Sequence, residues 1–377
     1  MSSADTTITG VRSYLVDIPV KSVRHDAVQS FVKQETIFVE VATADGRRGT
    51  GYSYTIGNGG TSVLAMLTDH LLPQLIGLSA AEIDGIWRLL FSSTRATTVG
   101  AITSLALAAI DTALWDLRCQ RAEEPLWVQA GGSRPRVPLY DTEGGWLQLP
   151  IEDLVTNAKR SIAAGWRGIK IKVGKDSLAE DVDRIAAVRE AIGPHHDLMV
   201  DANQSFSRSE AIRRAGAFEP YRLRWFEEPL LAEDVTGHRM LRESTSLPIA
   251  VGESMYSIGQ FGEYLAQRAA TIVQVDVSRI GGITPWLKVA HAAEAAGVEV
   301  CPHFVMELHV SLAAAVPNAP YVEYIPQLDV ITRSALQIDA GHAVAPSSPG
   351  LGIDWDREAI DAMTQHLCEL GPNASGA

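Results

Sequence analysis

Cysteine is scarce, with three in 377 residues (Cys119, Cys301 and Cys368), an odd number without a Cys-x-x-Cys spacing. That excludes a disulfide framework and a zinc–thiolate centre, and it suits a reducing compartment. Basic charge is also short: 32 Lys and Arg stand against 45 Asp and Glu, a net charge of −13. Such a surface repels phosphate backbones and anionic headgroups, which argues against nucleic acid or a membrane as partner. There is no long apolar run. LALAAIDTALWDL (105–117) is broken by Asp111 and Asp116, and it is too short and too charged to cross a bilayer. The opening MSSADTTITG lacks the basic and apolar regions of a secretory signal, so a cytoplasmic location is expected. A Gly-x-Gly-x-x-Gly turn opening a helix, which a dinucleotide-binding sheet wants, is missing from GWRGIKIKVG.

What is present falls into two patterns. Residues 8–20 and 35–55 are β-branched runs with an Asp-Gly turn at 45–46, which predicts an antiparallel meander. Helical spacing follows over 61–92 and 101–120. An α+β unit over 1–130 is expected, ending near the Gly-Gly-Ser-Arg-Pro stretch at 131–135. Beyond it, eight short apolar strands alternate with helices: VPLYD (137–141), GIKIK (168–172), LMVDA (198–202), LRWFEE (223–228), PIAVGE (248–253), IVQVD (272–276), VEVCPH (298–303) and YVEY (321–324). Alternation means parallel strands with crossover helices, and eight strands over 131–330 argue for a (β/α)8-type TIM barrel. The remainder, 331–377, lacks the repeat, reads as turns at SSPGLGIDWD (347–356), and is expected to pack back on the first unit.

Ionisable residues fall at the strand ends. Lys170 and Lys172 end the second strand, and Asp201, Glu227, Glu253, Asp276, His303 and Glu323 end the next six. From Lys172 onward the intervals are 29, 26, 26, 23, 27 and 20 residues, each close to one βα unit. One Asp at a strand end is ordinarily the N-cap of the next helix. A set on seven successive strands is different, because strand C-termini in a barrel share one mouth and buried unpaired charge is costly. Asp201, Glu227 and Glu253 form an all-oxygen set suited to Mg²⁺ rather than zinc. Lys170 and Lys172, at i and i+2, share a face. Mutual repulsion near a cation is expected to depress one of them towards use as a base. Asp276 and His303 lie on adjacent strands, where the carboxylate can orient the imidazole. A metal between two bases points to α-proton abstraction next to a carboxylate, with the enediolate stabilised electrostatically.

The ordered motifs KIK (170–172), DAN (201–203), FEEP (226–229), GES (252–254), D-x-x-R-x-GG (276–282), the His303 strand and Glu323 resemble the mandelate racemase subgroup of the enolase superfamily. The likeness spans nearly the whole chain, including AAIDTALWDL (108–117) and PGLGI (349–353). It implies an N-terminal α+β capping domain on a modified (β/α)7β barrel. By the same resemblance, Asp201, Glu227 and Glu253 hold Mg²⁺ and Lys172 is the base on one face. Lys170 tunes it, His303 with Asp276 is the acid/base on the other face, Glu323 bonds a substrate carboxylate oxygen, and Asn203 contacts substrate.

The cap is expected to choose the substrate. Two polar segments are candidate loops, 21–30 with Arg24, His25 and Asp26, and 51–60 with Ser53, Tyr54 and Thr55. Glycines 57, 59 and 60 predict a mobile lid for the second. Thr142, Glu143 and Trp146 follow the first barrel strand. His25, Tyr54, Thr142 and Trp146 are the expected substrate contacts, and hydrogen-bonding walls suit a polyol better than an aromatic acid. The lid, DTEGGW (141–146) and HFVMELHVSLAAA (303–315) are similar to galactarate/talarate dehydratases and to sugar-acid cycloisomerases. The expected function is therefore dehydration of an acid sugar to a 2-keto-3-deoxy acid, in a homo-oligomer whose partner is that small molecule. A racemase or epimerase, a cycloisomerase, and a sugar-acid binder without turnover stay open.

Overall fold

The computed structural model describes residues 5–371; positions 1–4 and 372–377, at the outer ends of the first and last expected segments, lie outside the described residues. The cap begins with β1 (Ile8–His25), β2 (Ser30–Thr43) and β3 (Arg48–Thr55), an antiparallel meander. Helices α1 (Gly60–Ala65), α2 (Ile83–Ser93), α3 (Ala101–Ala122) and α4 (Leu126–Gln129) follow. Both candidate cap loops prove more ordered than expected. Residues 21–30 continue β1 and β2 into a hairpin whose turn is closed by the Asp26 carboxylate, which accepts from Val28 and Gln29 N–H at 2.7 and 2.8 Å. Gly51–Thr55 is not a lid but the buried end of β3. Its glycines serve close packing: a Cβ at Gly49 or Gly51 would stand 2.3 or 2.2 Å from the α3 carbonyls of Ala113 and Ala109.

Seven βα units follow: β4 (Arg136–Asp141) with α5 (Ile151–Ala163), β5 (Gly168–Lys172) with α6 (Leu178–Ile192), β6 (Asp197–Asp201) with α7 (Arg208–Phe218), β7 (Trp225–Glu227) with α8 (Val235–Ser244), β8 (Ile249–Val251) with α9 (Ile258–Ala266), β9 (Ile272–Val273) with α10 (Ile283–Ala295), and β10 (Glu299–Val300) with α11 (Met306–Ala315). An eighth strand, β11 (Val322–Tyr324), pairs in parallel with β4 and is not followed directly by a helix. The parallel order is β11-β4-β5-β6-β7-β8-β9-β10, a modified (β/α)7β barrel. Its interior is a separate apolar cluster of Tyr140, Met199, Trp225, Ala250, Ile272, Cys301 and Tyr321, one from each of seven strand regions. Tyr140 packs on both Trp225 and Tyr321, with ring centroids 5.3 and 5.8 Å apart, so the interior is filled rather than open. No helix among the described residues is long and apolar enough to cross a membrane.

The last segment divides. After β12 (Ile338–Asp339), β13 (His342–Val344) pairs antiparallel with the start of β4; after α12 (Arg357–Met363), β14 (Thr364–Leu370) joins the cap sheet beside β1. Residues 347–356 form turns, as expected.

The two carboxylates that interrupt the apolar stretch of α3 tie these parts together. Asp116 accepts the backbone N–H groups of Thr50 in β3 and Leu351 in the late turn, at 2.8 and 2.9 Å. Asp111 accepts Thr284 N–H of α10 at 2.8 Å, and Trp115 donates to the Thr284 hydroxyl at 2.9 Å. Gly282 must lack a side chain here, because a Cβ would meet the Asp111 carboxylate at 2.4 Å. Asp116→Ala, which orphans two buried N–H groups, should lower stability by about 2–4 kcal/mol in urea unfolding; a loss under ~1 kcal/mol would show that these bonds do not hold the cap.

Candidate active site

The barrel's parallel register brings the strand-end charges side by side. Lys172 pairs with Asp201 across β5–β6, and Asp201 with Glu227 across β6–β7. All eight ionisable residues named from the strand ends are buried around one mouth. Lys170, 1% exposed, sits 2.8 Å from Glu227 Oε1, 2.7 Å from Glu323 Oε1 and 3.7 Å from Asp201 Oδ2. Burial pulls its pKa down, but Glu227 and Glu323 outweigh that and hold it well above the usual lysine value. Lys172 donates to Asp201 Oδ2 and lies 5.3 Å from the centre of the Trp146 ring. The expected depression was for a lysine beside a cation, and the side chains by themselves act in the other direction. Burial, the largest influence, and Lys170 lower the proton affinity of Lys172, yet Asp201 together with Glu253 and Glu227 raises it overall.

Asp201, Glu227 and Glu253 each offer an oxygen within 4.8 Å of the others. Burial, reinforced by the Asp201 charge, pushes Glu227 up to about 8 even with Lys170 attached. Glu253 Oε2 has no hydrogen-bond partner, and His303 Nε2 lies 3.4 Å from it without bonding geometry. Three converging carboxylates, one with an orphaned oxygen, fit a hard divalent cation.

On the far side, His303 Nδ1 is 2.9 Å from Asp276 Oδ2. Ser278 and Arg279 N–H groups bond Asp276 Oδ1 at 2.7 and 3.1 Å. Burial alone would raise Asp276; its bond to His303 and the charges of His303 and Arg279 reverse that and hold it far below the carboxylate range. With Nδ1 on Asp276, Nε2 is the ring nitrogen turned to the metal triad. Glu323 is drawn down to about 2: burial opposes the shift, and Lys170 and His303 drive it. Its oxygens accept from the Thr142 hydroxyl at 2.7 Å and Phe304 N–H at 2.9 Å.

The expected substrate contacts fare differently. Asn203 is buried beside Asp201, to which its N–H donates at 2.9 Å, and its side-chain oxygen has no partner. Trp146 underlies Lys172 and donates to Glu143 at 3.2 Å. Thr142 is occupied with Glu323, and Tyr54 donates to Asp276 Oδ2 at 2.5 Å while packing on Phe304. His25 stays in the cap hairpin, 2.7 Å from the Ser30 hydroxyl, with no bond to the charged cluster. Three residues went unassigned in the sequence. Arg279, signalled by the D-x-x-R spacing, donates to the Glu253 carbonyl at 2.7 Å. Asp26 is buried within electrostatic reach of Lys172 and Asp201, although burial is what raises its pKa most. His309 donates to the Phe304 carbonyl at 2.7 Å and accepts Val277 N–H at 3.1 Å, bracing both arms of the Asp276–His303 pair; burial pulls its pKa down to about 4, which keeps it neutral for that role.

The depressed pKa of Asp276 has a stability consequence. A carboxylate with a lowered folded-state pKa stabilises fully above its unfolded value near about 4, and that contribution fades as pH falls. Asp276→Asn should therefore cost about 1–3 kcal/mol at pH 7, and the deficit should shrink below about pH 4 in denaturant titrations. A deficit that does not change with pH would contradict the assignment.

Family models described as "Mandelate racemase / muconate lactonizing enzyme, N-terminal domain" and "Enolase C-terminal domain-like" match residues 9–131 and 153–359. The chain is 37% identical over 361 residues to 3,6-anhydro-alpha-L-galactonate cycloisomerase of Streptomyces coelicolor, covering 94% of this chain and 99% of that protein. It is 36% identical over 335 residues to L-talarate/galactarate dehydratase of Salmonella typhimurium, covering 89% and 84%. The crystal structure of L-talarate dehydratase from Polaromonas sp. JS666, complexed with Mg and L-glucarate, superposes with a TM-score of 0.91 at 38% identity, covering 97% of this chain and 99% of that one. On this evidence, of the fold, the strand-end charges and the likeness along almost the full length, the chain belongs to the mandelate racemase/muconate lactonizing enzyme family of the enolase superfamily.

Proposed function

We propose that this enzyme is a Mg²⁺-dependent acid-sugar dehydratase of the galactarate/talarate type. The observation that carries the reading is one buried mouth in which an all-carboxylate triad stands between Lys172 and the His303–Asp276 pair. The relatives complexed with Mg support the cation, and L-glucarate bound to one of them supports the substrate class.

Asp201, Glu227 and Glu253 would hold Mg²⁺, which supplies the positive charge that stabilises electron density building on the substrate carboxylate. Lys170, a donor beside the triad, orients that carboxylate, and Glu323 holds the Lys170 ammonium in place. Lys172 would accept the proton from C2 at Nζ, a cation on the triad and the Lys170 charge together opposing the carboxylates that raise its proton affinity. The C3–O bond then breaks, and His303 Nε2 gives the departing oxygen a proton, so that water leaves and an enol remains. Asp276 stabilises the imidazolium before transfer and fixes the ring afterwards. Tautomerisation of the enol gives the 2-keto-3-deoxy acid. Trp146, packed against Lys172, shields the base from water.

Cycloisomerisation is the second reading, favoured by the 37% identity to the Streptomyces enzyme. It uses the same abstraction but retains the oxygen.

Galactarate, L-talarate and related acid sugars should yield a 2-keto acid in the presence of Mg²⁺, detected with semicarbazide. Lys172→Ala and His303→Asn should each cut turnover by at least ~10³-fold, in line with loss of a general acid or base. Glu227→Gln should weaken Mg²⁺ binding and turnover together. A keto acid of unchanged mass formed from an anhydro or lactone acid sugar, with no turnover of the open acids, moves the enzyme to the second reading; full turnover in either base variant overturns the two-base mechanism.

A further inference from the structure

The three candidate cation ligands end three neighbouring strands, and the loops that follow them are otherwise separate segments. One side chain spans all three. Gln204, in the loop after Asp201, donates from Nε2 to Glu228 Oε2 at 3.0 Å and to Ser254 Oγ at 2.7 Å. Its Oε1 accepts Ala232 N–H at 2.8 Å, and its own N–H donates to the Glu228 carbonyl at 2.7 Å. Both amide hydrogens and the amide oxygen are thus in use. Glu228 directly follows the ligand Glu227, and Ser254 directly follows Glu253, so each bond grips the loop of a different ligand.

The backbone supports this. Asn203, Gln204 and Glu228 have φ of 43°, 64° and 38°, a left-handed conformation that residues with a side chain rarely adopt. Such conformations persist where surrounding bonds hold them, and they gather at functional sites. Gln204 touches neither a ligand oxygen nor the substrate position, so its effect would be exerted through the loops.

We propose that Gln204 is a positioning residue that sets the spacing of Asp201, Glu227 and Glu253 and thereby the affinity of the site for a divalent cation. The inference rests on the cation reading above. A merely structural amide would stabilise the loops without changing metal affinity, so affinity is the readout that separates the two.

The test uses the full chain without substrate, titrated with Mn²⁺ and followed by electron paramagnetic resonance, with thermal unfolding in EDTA recorded alongside. Mn²⁺ takes the same oxygen donors as Mg²⁺. Gln204→Met keeps the length of the side chain and removes its three bonds. It should weaken Mn²⁺ binding by ~10–100-fold, the usual effect of losing outer-shell support, with a single cooperative melting transition retained in EDTA. Ser254→Ala removes one bond and should weaken binding by a few-fold. Wild-type affinity in Gln204→Met overturns the inference, as does a lower melting temperature in EDTA with affinity retained. If Gln204→Met does not fold, Ser254→Ala decides by the same titration, and unchanged affinity there overturns it. A wild-type chain that takes up no Mn²⁺ overturns the cation reading and this inference with it; retained affinity in the variants overturns this inference alone.

Discussion

A lysine ammonium that is 1% exposed has to find its counter-charges inside the protein, and Lys170 finds them on Glu227, Glu323 and Asp201. Removing one partner from a buried ion cluster leaves an uncompensated charge, which is far more costly than the cluster itself. The requirement therefore couples β5, β6, β7 and β11 in register. The remaining valences are filled as well: Trp225 Nε1 donates to Glu227 at 2.9 Å, and Thr142 and Phe304 N–H complete Glu323. Two of the charges that balance Lys170, Asp201 and Glu227, also belong to the carboxylate triad, so electrostatic satisfaction of the barrel mouth and assembly of that triad are one arrangement.

The cap takes part in that arrangement. Tyr54 comes from β3, yet its hydroxyl bonds the oxygen of Asp276 that also holds His303. Asp111 and Trp115 of α3 fasten the start of α10, immediately after the loop carrying Asp276 and Arg279. The Asp276–His303 pair is thus braced from both domains, and the buried hydroxyl of Tyr54 takes part in that bracing. The Lys172 side is approached by a different cap element, the hairpin turn at Asp26, whose carboxylate feels Lys172 and Asp201.

Much of this was legible in the residues themselves. A buried parallel strand is apolar along its length, so an ionisable residue at its end stands out, and the spacing of about one βα unit identifies the repeat. Because strands of a closed barrel all point the same way, charges ending seven of them must share a mouth whatever the details of packing. That is why Lys170, Lys172, Asp201, Glu227, Glu253, Asp276, His303 and Glu323 could be grouped before any coordinates were known. The cap was less legible. Residues 51–55 were read as part of a loop, but they are the buried end of β3, where Gly49 and Gly51 admit α3, and a contact between β3 and a helix some 60 residues away leaves no local signal. The return of the last segment to the cap was expected, but not that it does so as a strand, β14, paired with β1.

Local sequence by itself determined the elements, their alternation and the identity of the groups delivered to the mouth, because periodicity and strand polarity are properties of neighbouring residues. Tertiary structure alone decided what those groups are like once there. Lys170 is two residues from Lys172 and was expected to govern it, but burial and Asp201, 29 residues away in sequence and hydrogen-bonded to it, act on it more strongly. Electrostatic interaction falls with distance through space and not along the chain. The proton affinities, the partner of Tyr54 and the grip of Gln204 on three loops therefore exist only after the barrel has closed.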